Sequence, residues 1–558
     1  MFTNPVSDPP TLAPDTVRVI PLGGLGDVGR NMTAFEINGE ILLVDAGVLF
    51  PEEDHPGVDL ILPGFDAIAS RFDDVVGLVL THGHEDHIGA VPYLLKSCPD
   101  IEVFGSRLTL AFLDSKLKEH RLSPVLTCVS EGQRRMIGTQ FDIEFVAVNH
   151  SIPDALALFL RTAGGTILHT GDFKMDQLPL DHRLTDLRAF ARLGEEGVDL
   201  MMADSTNAEV PGFTTGELAV EPALARIFDQ APGKIIVACF ASHVHRAQQV
   251  VNLAASHGRV VTYNGRSMVR NMGIARDLGY LQVPGSTLAD LGDVGSIPEN
   301  RLVVMTTGSQ GEPLSGLARM ANRSHPSITV GPGDTVVLAS SLIPGNENAV
   351  FRVINSLLGL GATVIHRGNA LVHVSGHACS GELLYCYNVV QPRNAMPVHG
   401  ELRHLQANAK LALSTGVEHV LTVEDGTVVD LHDHVARVVG KVDASYILVD
   451  GDSVGCLSEE SLADRRILGS EGFITVIAVV RPGQGEVVSV EIQARGFIDD
   501  DRVFSNVEPQ IRGNLSAALA EGVTDIYLLQ QVIRRTIGRW VATTLHSRPM
   551  IVPVVIRT

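Results

Sequence analysis

The sequence predicts an α/β protein with three parts: a sheet sandwiched by helices, an inserted parallel α/β domain and a small α/β domain at the C-terminal end. Three observations predict it. Strand-like apolar runs through residue 210 end at polar residues of metal-ligand type. From about residue 216 to 365, strand and helix patterns alternate regularly, as in a parallel sheet with crossover helices. After about residue 440, a connector leads to two further strands, two helices and a last strand.

Val17–Ile20 and Ile41–Val44 read as strands flanking the glycine-rich hairpin loop Gly23–Asn31, which no Gly-Lys-Ser/Thr closes and which is therefore not a P-loop. Val75–Leu80 reads as a buried strand, and Ile88–Lys96 as a short helix. In the insertion, the strand-like runs are Lys234–Cys239, Arg259–Tyr263, Leu302–Thr306, Thr335–Ala339 and Ala362–Ile365, with helices such as Val244–Ala255 and Asn348–Leu358 between them. In the last part, Phe473–Val480, Glu486–Gln493 and Met550–Ile556 read as strands, and Asn514–Glu521 and Ile526–Thr543 as helices. That part carries no catalytic constellation.

A chain of 558 residues is too long for one core, so two to four domains are expected. The first fifteen residues are proline-rich and lack the basic start and apolar run of a signal peptide. No run of eighteen apolar residues predicts a membrane span. Six cysteines, with no C-x-x-C pair, fit reduced thiols in a cytoplasm. The net charge of −21 argues against general nucleic-acid binding but leaves room for a local basic channel.

The chemistry concentrates in Thr81-His82-Gly83-His84-Glu85-Asp86-His87-Ile88-Gly89, which reads H-x-H-x-D-H on a strand-to-helix loop. Imidazoles suit a borderline ion such as zinc, and a carboxylate adds charge neutralisation. His150, Asp172 and His399 each stand at or just beyond another apolar run. Together these make seven ligands, enough for two ions. Asp172 and His399 lie far apart in the chain, so the segment between them must leave the first sheet and return, which is why the middle domain reads as an insertion.

This ligand set resembles the metallo-β-lactamase superfamily. The insertion, Asp204 at its opening, His377 in His373-Val374-Ser375-Gly376-His377, and His399 resemble its β-CASP branch, whose members cut nucleic acid. A histidine at the position of His399 is the RNA-processing variant. Gly23–Asn31, Asp45-Ala46-Gly47, Thr81–Ala90, His150–Asp154, His169–Lys174, Asp204–Asn207, Phe240–Arg246, Thr307–Pro313, Pro344-Gly345-Asn346, His373–His377, Pro397–Glu401, Arg465-Arg466 and Arg548–Ile551 are similar to the bacterial ribonuclease J family over nearly the whole chain. Asp27 stands where glutamate is common, and His243 where asparagine is common.

The resemblance implies a metallo-β-lactamase αββα sandwich with an inserted β-CASP domain. Its boundaries would be a flexible tail over 1–15, the first part of the sandwich over 16–212, the β-CASP domain over 213–366 and the second part of the sandwich over 367–440. A linker over 441–465 and a C-terminal domain over 466–558 follow. His82, His84 and His150 would hold one zinc, Asp86, His87 and His399 another, and Asp172 would bridge them. The ions would lie about 3.5–4 Å apart and share an attacking hydroxide. Manganese is an alternative. His377 would protonate or place the leaving 3′ oxygen, with Asp86 assisting in proton handling. Asp450, with backbone oxygens near Pro56 and Val58, matches the place of a structural cation, calcium or manganese.

For substrate, the resemblance implies single-stranded RNA, cut 5′→3′ from a monophosphorylated end with weaker internal cutting, in decay and maturation of mRNA and rRNA. The loop His373, Val374, Ser375, Gly376 and His377 would contact the terminal phosphate, since glycine lets N–H groups approach an anion and serine and histidine add donors. Ser309 and Arg266 would complete the pocket, and Phe50 or Phe240 would stack a base. A homodimer or tetramer through the C-terminal domain, a place in an RNA-degradation complex, a cytoplasmic location and no membrane association complete the expectation. Competing readings are a strictly endonucleolytic β-CASP enzyme, a zinc hydrolase of small esters or lactams, and a non-catalytic RNA-binding scaffold.

Overall fold

The computed structural model describes residues 8–52, 54–343, 345–498 and 501–558. Residues 1–7 of the expected tail and Pro344 of the Pro-Gly-Asn motif lie outside the described residues. The chain divides into two compact units, Met1–Phe50 with Ile61–Ile447, and Pro51–Leu60 with Leu448–Thr558. Pro10, within the expected tail, is tied down: its carbonyl accepts from Arg18 Nη2 at 2.8 Å.

Among the described residues, the first unit holds sheets of eight, seven and five strands. The eight-stranded sheet runs from Val435–Lys441 through Thr427–His432, Val17–Gly23, Met32–Ile37 and Glu40–Val44 to three parallel strands, Val75–Val79, Val103–Gly105 and Leu126–Cys128. The seven-stranded sheet is parallel over His419–Val420, Asn394–Val398, Leu200–Asp204 and Gly165–His169, then antiparallel through Leu156–Thr162, Phe141–Ala147 and Arg134–Ile137. Phe35, Leu42 and Val44 of the first sheet share one buried core with Phe145, Leu158 and Met202 of the second. On the other face of the second sheet, Phe159, Leu168 and Met201 pack with Phe190, Leu193, Leu383 and Tyr387 of the helices Leu187–Glu196 and Ser380–Val390. The result is the helix–sheet–sheet–helix sandwich expected from the sequence.

Leu200–Asp204 and Asn394–Val398 are parallel neighbours, with Asp204 opposite Val398. The chain leaves the sandwich after one of these strands and returns on the other. Between them lies the five-stranded sheet, wholly parallel where paired, in the order Val260–Asn264, Leu302–Thr306, Ile235–Ala238, Thr335–Leu338, Thr363–His366. Its three inner strands are mainly apolar runs buried throughout, as burial on both faces requires.

The second unit carries a three-stranded sheet with Phe473–Arg481 at its centre, Glu486–Arg495 antiparallel on one side and Met550–Arg557 parallel on the other. Ile474, Val476, Ala478 and Val480 form a core with Leu515 of the helix Glu508–Ala520 and with Leu529, Ile533 and Ile537 of the helix Ile526–Thr544. The first of these helices begins six residues before the expected Asn514, because Pro509 sits in its first turn, where the lost N–H costs nothing. The helix expected over 88–96 is two, Glu85–Ile88 and Val91–Ser97.

Candidate metal centre

The ligand loop is built on the end of the strand Val75–Val79, and two neighbouring segments fix its path. Asn31 donates its N–H to Asp86 O at 3.0 Å, and Nδ2 donates to the same oxygen at 3.1 Å. Gly47 passes so close that a Cβ there would lie 1.6 Å from Asp86 O, so only glycine fits. The other ligands arrive at strand ends: His150 beyond Phe141–Ala147, Asp172 beyond Gly165–His169, and His399 directly after Asn394–Val398. Asp45 and His399 both hold positive φ, 59° and 55°, conformations that non-glycine residues adopt at a cost and that here turn the side chains inward.

All seven predicted ligands converge. His82 Nε2 and His150 Nε2 each lie 3.0 Å from His84 Nδ1. Asp172 Oδ2 lies 3.2 Å from both His87 Nε2 and His399 Nε2, and 3.6 and 3.7 Å from His82 Nε2 and His150 Nε2. Asp86 Oδ2 is 3.4 Å from His399 Nε2. Two ligand sets thus meet at Asp172: His82, His84 and His150 on one side, Asp86, His87 and His399 on the other. Imidazole nitrogens about 3 Å apart, with no proton to share, match the edge of a tetrahedron around an ion at about 2.0–2.1 Å. The donor set therefore fits metal ions.

The second ring nitrogens fix the tautomers. His87 Nδ1 is 2.8 Å from Asp45 Oδ2, which leaves Nε2 bare for a metal, and His150 Nδ1 is 2.7 Å from Gly376 O with the same effect. Asp45 also accepts from Thr81 N and Thr81 Oγ1, at 2.8 and 2.9 Å. Burial first, and neighbouring imidazoles next, hold His82 well below its ordinary pKa; burial likewise holds His84 down to about 4 and His150 well below its ordinary value. Those three rings are neutral, the form a metal requires. Burial opposes the charged form of Asp172, but the surrounding histidines outweigh it and keep the carboxylate ionised.

His377 stands beside this cluster. Its Nδ1 is 2.8 Å from Asp204 Oδ2 and 4.0 Å from Asp172 Oδ2. Burial works most strongly against the imidazolium, but the carboxylates of Asp204 and, next, Asp172 together raise the His377 pKa.

The loop 373–377 is braced from behind by a buried ionic cluster. Lys174 Nζ donates to Ser375 O at 3.2 Å and to Glu217 Oε1 at 3.3 Å, and Arg246 Nη2 donates to Glu217 Oε2 at 3.0 Å. Arg246 Nη1 donates to Val372 O. His243 packs edge-on to His373 at 5.9 Å between ring centroids. Among the described residues, His373 Nδ1 and Ser309 Oγ are buried without a hydrogen-bond partner. Phe240, Arg266 and Ser309 follow the ends of adjacent parallel strands, at the edge where open α/β sheets bind ligands. Phe240 is half-buried and Arg266 exposed. Val374 is buried. Phe50 is 55 % exposed and so is not a core residue.

Asp450, the residue expected to hold a structural cation, is paired with an arginine. The Asp450 carboxylate accepts from Arg465 Nη2 at 2.6 Å, and Arg465 Nη1 donates to Pro56 O at 3.3 Å. Arg465 thus supplies positive charge beside the Asp450 carboxylate.

Four family models match in succession: Beta-lactamase superfamily domain over 42–237, Ribonuclease J, beta-CASP domain over 232–357, Zn-dependent metallo-hydrolase RNA specificity domain over 363–422, and Ribonuclease J C-terminal domain over 460–558. Ribonuclease J of Mycolicibacterium smegmatis is 50% identical over 554 residues, 99% of each chain. The chain belongs to the ribonuclease J family. Ribonuclease J of Thermus thermophilus is 41% identical, over 97% of this chain and 95% of the relative. A solved protein of unknown function from Enterococcus faecalis V583 aligns with a TM-score of 0.52 at 13% identity, over 75% of this chain and 100% of that one, a likeness of fold. The ribonuclease J family is one of β-CASP metallo-hydrolases that act on RNA, and the His/Asp cluster of this member is able to bind metal ions.

Sequence reasoning alone misses the supports of this site. Asp45 and Asn31 fall within recognisable motifs without standing out as props of the ligands; a carboxylate closing a strand beside a histidine loop is the available signal. The Lys174–Glu217–Arg246 cluster leaves no local signal, because its members meet only in three dimensions. Among the described residues, no helix is long and apolar enough to cross a membrane.

Proposed function

We propose that this metal-dependent ribonuclease degrades single-stranded RNA 5′→3′ from a monophosphorylated end, with weaker internal cutting, in mRNA decay and rRNA maturation. The observation that carries the reading is the meeting of two ligand sets at Asp172, with the Asp204–His377 pair 4.0 Å away. His82, His84 and His150 would hold one zinc and Asp86, His87 and His399 a second, with manganese as a substitute. Ions bound there supply a water of lowered pKa and neutralise charge on the phosphoryl oxygens.

The chain's own groups do the rest. Asp172 orients both ligand sets. His377, charged through Asp204, presents a proton to the leaving 3′ oxygen and yields 5′-phosphate and 3′-hydroxyl ends. The 373–377 loop, with the unpartnered His373 Nδ1 and Ser309 Oγ, supports recognition of a terminal phosphate. Arg266 adds charge at the same sheet edge, and Phe240 and Phe50 offer stacking faces worth about 1–3 kcal/mol per base. The apolar outer face of the C-terminal sheet, with Val552, Val554 and Ile556 exposed, supports a homodimer through that domain.

The test is cleavage of end-labelled RNA by His82→Ala and Asp86→Ala variants with zinc or manganese. Both variants should lose activity and bound metal; retained activity would remove the two-ion assignment.

A further inference from the structure

The helix Ile526–Thr544 in the second unit divides cleanly by its 3.6-residue period. Leu529, Ile533, Ile537 and Val541 point into the core and are buried. Arg535 and Arg539, one turn apart, lie opposite that stripe and Arg534 lies on its flank; all three are exposed. Tyr527, seven residues before Arg534 and so on the same face, is 65 % exposed. No aspartate or glutamate occurs between Ile526 and Thr544. Asp525, at the start of the helix, is spent on capping: its side chain accepts from Leu528 N at 3.0 Å.

Three other arginines of this unit are neutralised locally. Arg465 pairs with Asp450, Arg481 with Glu486, and Arg512 with Glu508. Among the described residues, the side chains of Arg534, Arg535 and Arg539 have neither an ion pair nor a hydrogen bond. Three such guanidiniums on the solvent side of one helix run against the trend of a chain whose net charge is −21. Along the axis, Arg534 and Arg539 are separated by about 7.5 Å at a rise of 1.5 Å per residue, so the charges form a short stripe rather than a point.

We propose that this face is a second RNA-binding surface, outside the metal site, where Arg534, Arg535 and Arg539 hold the phosphates of single-stranded RNA and Tyr527 stacks a base. The proposal rests on the ribonuclease reading of the metal site, which supplies the polyanion. Guanidinium forks match phosphate oxygens in pairs. A membrane-surface helix needs its apolar stripe free to enter lipid, and here that stripe is consumed by the core, leaving only charge on offer. The dimerisation face proposed above is the other side of the sheet, so both surfaces stay usable together.

The test uses the full chain with Arg534→Gln, Arg535→Gln and Arg539→Gln combined, beside the corresponding triple lysine variant. Equilibrium binding of labelled RNA is measured in EDTA across a salt series, with one oligonucleotide of about 5 nucleotides and one of about 40, well beyond a single-strand module's site size. For the long RNA, the glutamine variant should bind at least about tenfold more weakly at low salt. Its slope of log K against log salt should fall by about 2, at roughly 0.7 per lost phosphate contact. The lysine variant should retain most of both, and cleavage of the short RNA with metal restored should be unchanged. Unaltered affinity and slope in the glutamine variant would overturn the proposal. So would a lysine variant as weak as the glutamine one, or arginine-dependent binding to phosphatidylserine vesicles without binding to RNA. If the wild-type chain fails to cleave the short RNA, the ribonuclease reading itself fails, and that outcome is separate from any change in binding.

Discussion

His150 Nδ1 lies 2.7 Å from the carbonyl oxygen of Gly376, a residue 226 positions further along the chain. A proposed metal ligand is thereby oriented by the same loop that is proposed to meet RNA. The loop cannot shift without turning the ring, and Gly376 is where the two come closest: a Cβ there would stand 2.7 Å from both Cε1 and Nδ1 of His150. Gly376→Ala should therefore act as a metal-site mutation although residue 376 is no ligand. Metal affinity and activity should fall by roughly 10–100-fold, the range for lost outer-shell support of a ligating histidine. Metal content per chain after dialysis, read beside RNA cleavage, checks this; full occupancy with normal activity would contradict it.

The Asp204–His377 pair sets a pH dependence. His377 must be protonated to serve the leaving oxygen, so activity is present below its pKa and is lost as pH rises through it. Despite burial, Asp204 raises that pKa. Asp204→Asn removes the anion, so the basic limb of kcat should move to lower pH, and kcat at neutral pH should fall by up to about 10²–10⁴-fold, the usual contribution of a general acid. A pH–rate profile whose basic limb stays in place would separate His377 from the proton transfer.

Much of this site is legible in the sequence because ligand chemistry is local there. Four donors packed into six residues at a strand end can all reach one ion, and His150, Asp172 and His399 each follow an apolar run that delivers them to the same edge. The insertion is legible because strands and helices alternate through 216–365. What is not legible depends on residues that meet across the fold. Asp450 reads as a turn carboxylate near backbone oxygens, and nothing local announces that Arg465, fifteen residues on, neutralises it. Glu85–Ile88 and Val91–Ser97 look like one helix beginning at Ile88, yet at Gly89 the backbone is pressed against Glu85 O and Val48, and Pro92 opens the second helix. The burial of Lys174 is invisible because its partners, Glu217 and the carbonyl of Ser375, come from the insertion and from the returning strand segment.

That lysine carries a stability prediction. Lys174 is 1 % exposed and Glu217 2 %. Burial raises the cost of the Glu217 charge, and Lys174 is the first of the groups that hold it ionised. Lys174→Met should destabilise the metal-free chain by about 3 kcal/mol, since one member of a buried pair is left without its partner. The double variant Lys174→Met/Glu217→Gln should be less destabilised than the two single changes added together. Urea unfolding of the four proteins checks this, and strict additivity would mean the pair is not coupled.

The central claim is that this metal site works on RNA from a monophosphorylated 5′ end. It is tested most directly by the wild-type chain on one RNA prepared in three forms: 5′-monophosphate, 5′-triphosphate and circular. The account predicts rapid stepwise loss of the monophosphate form from its 5′ end, slow cutting of the triphosphate form and slow internal cutting of the circle. Equal rates on all three would contradict it and make the chain an endonuclease.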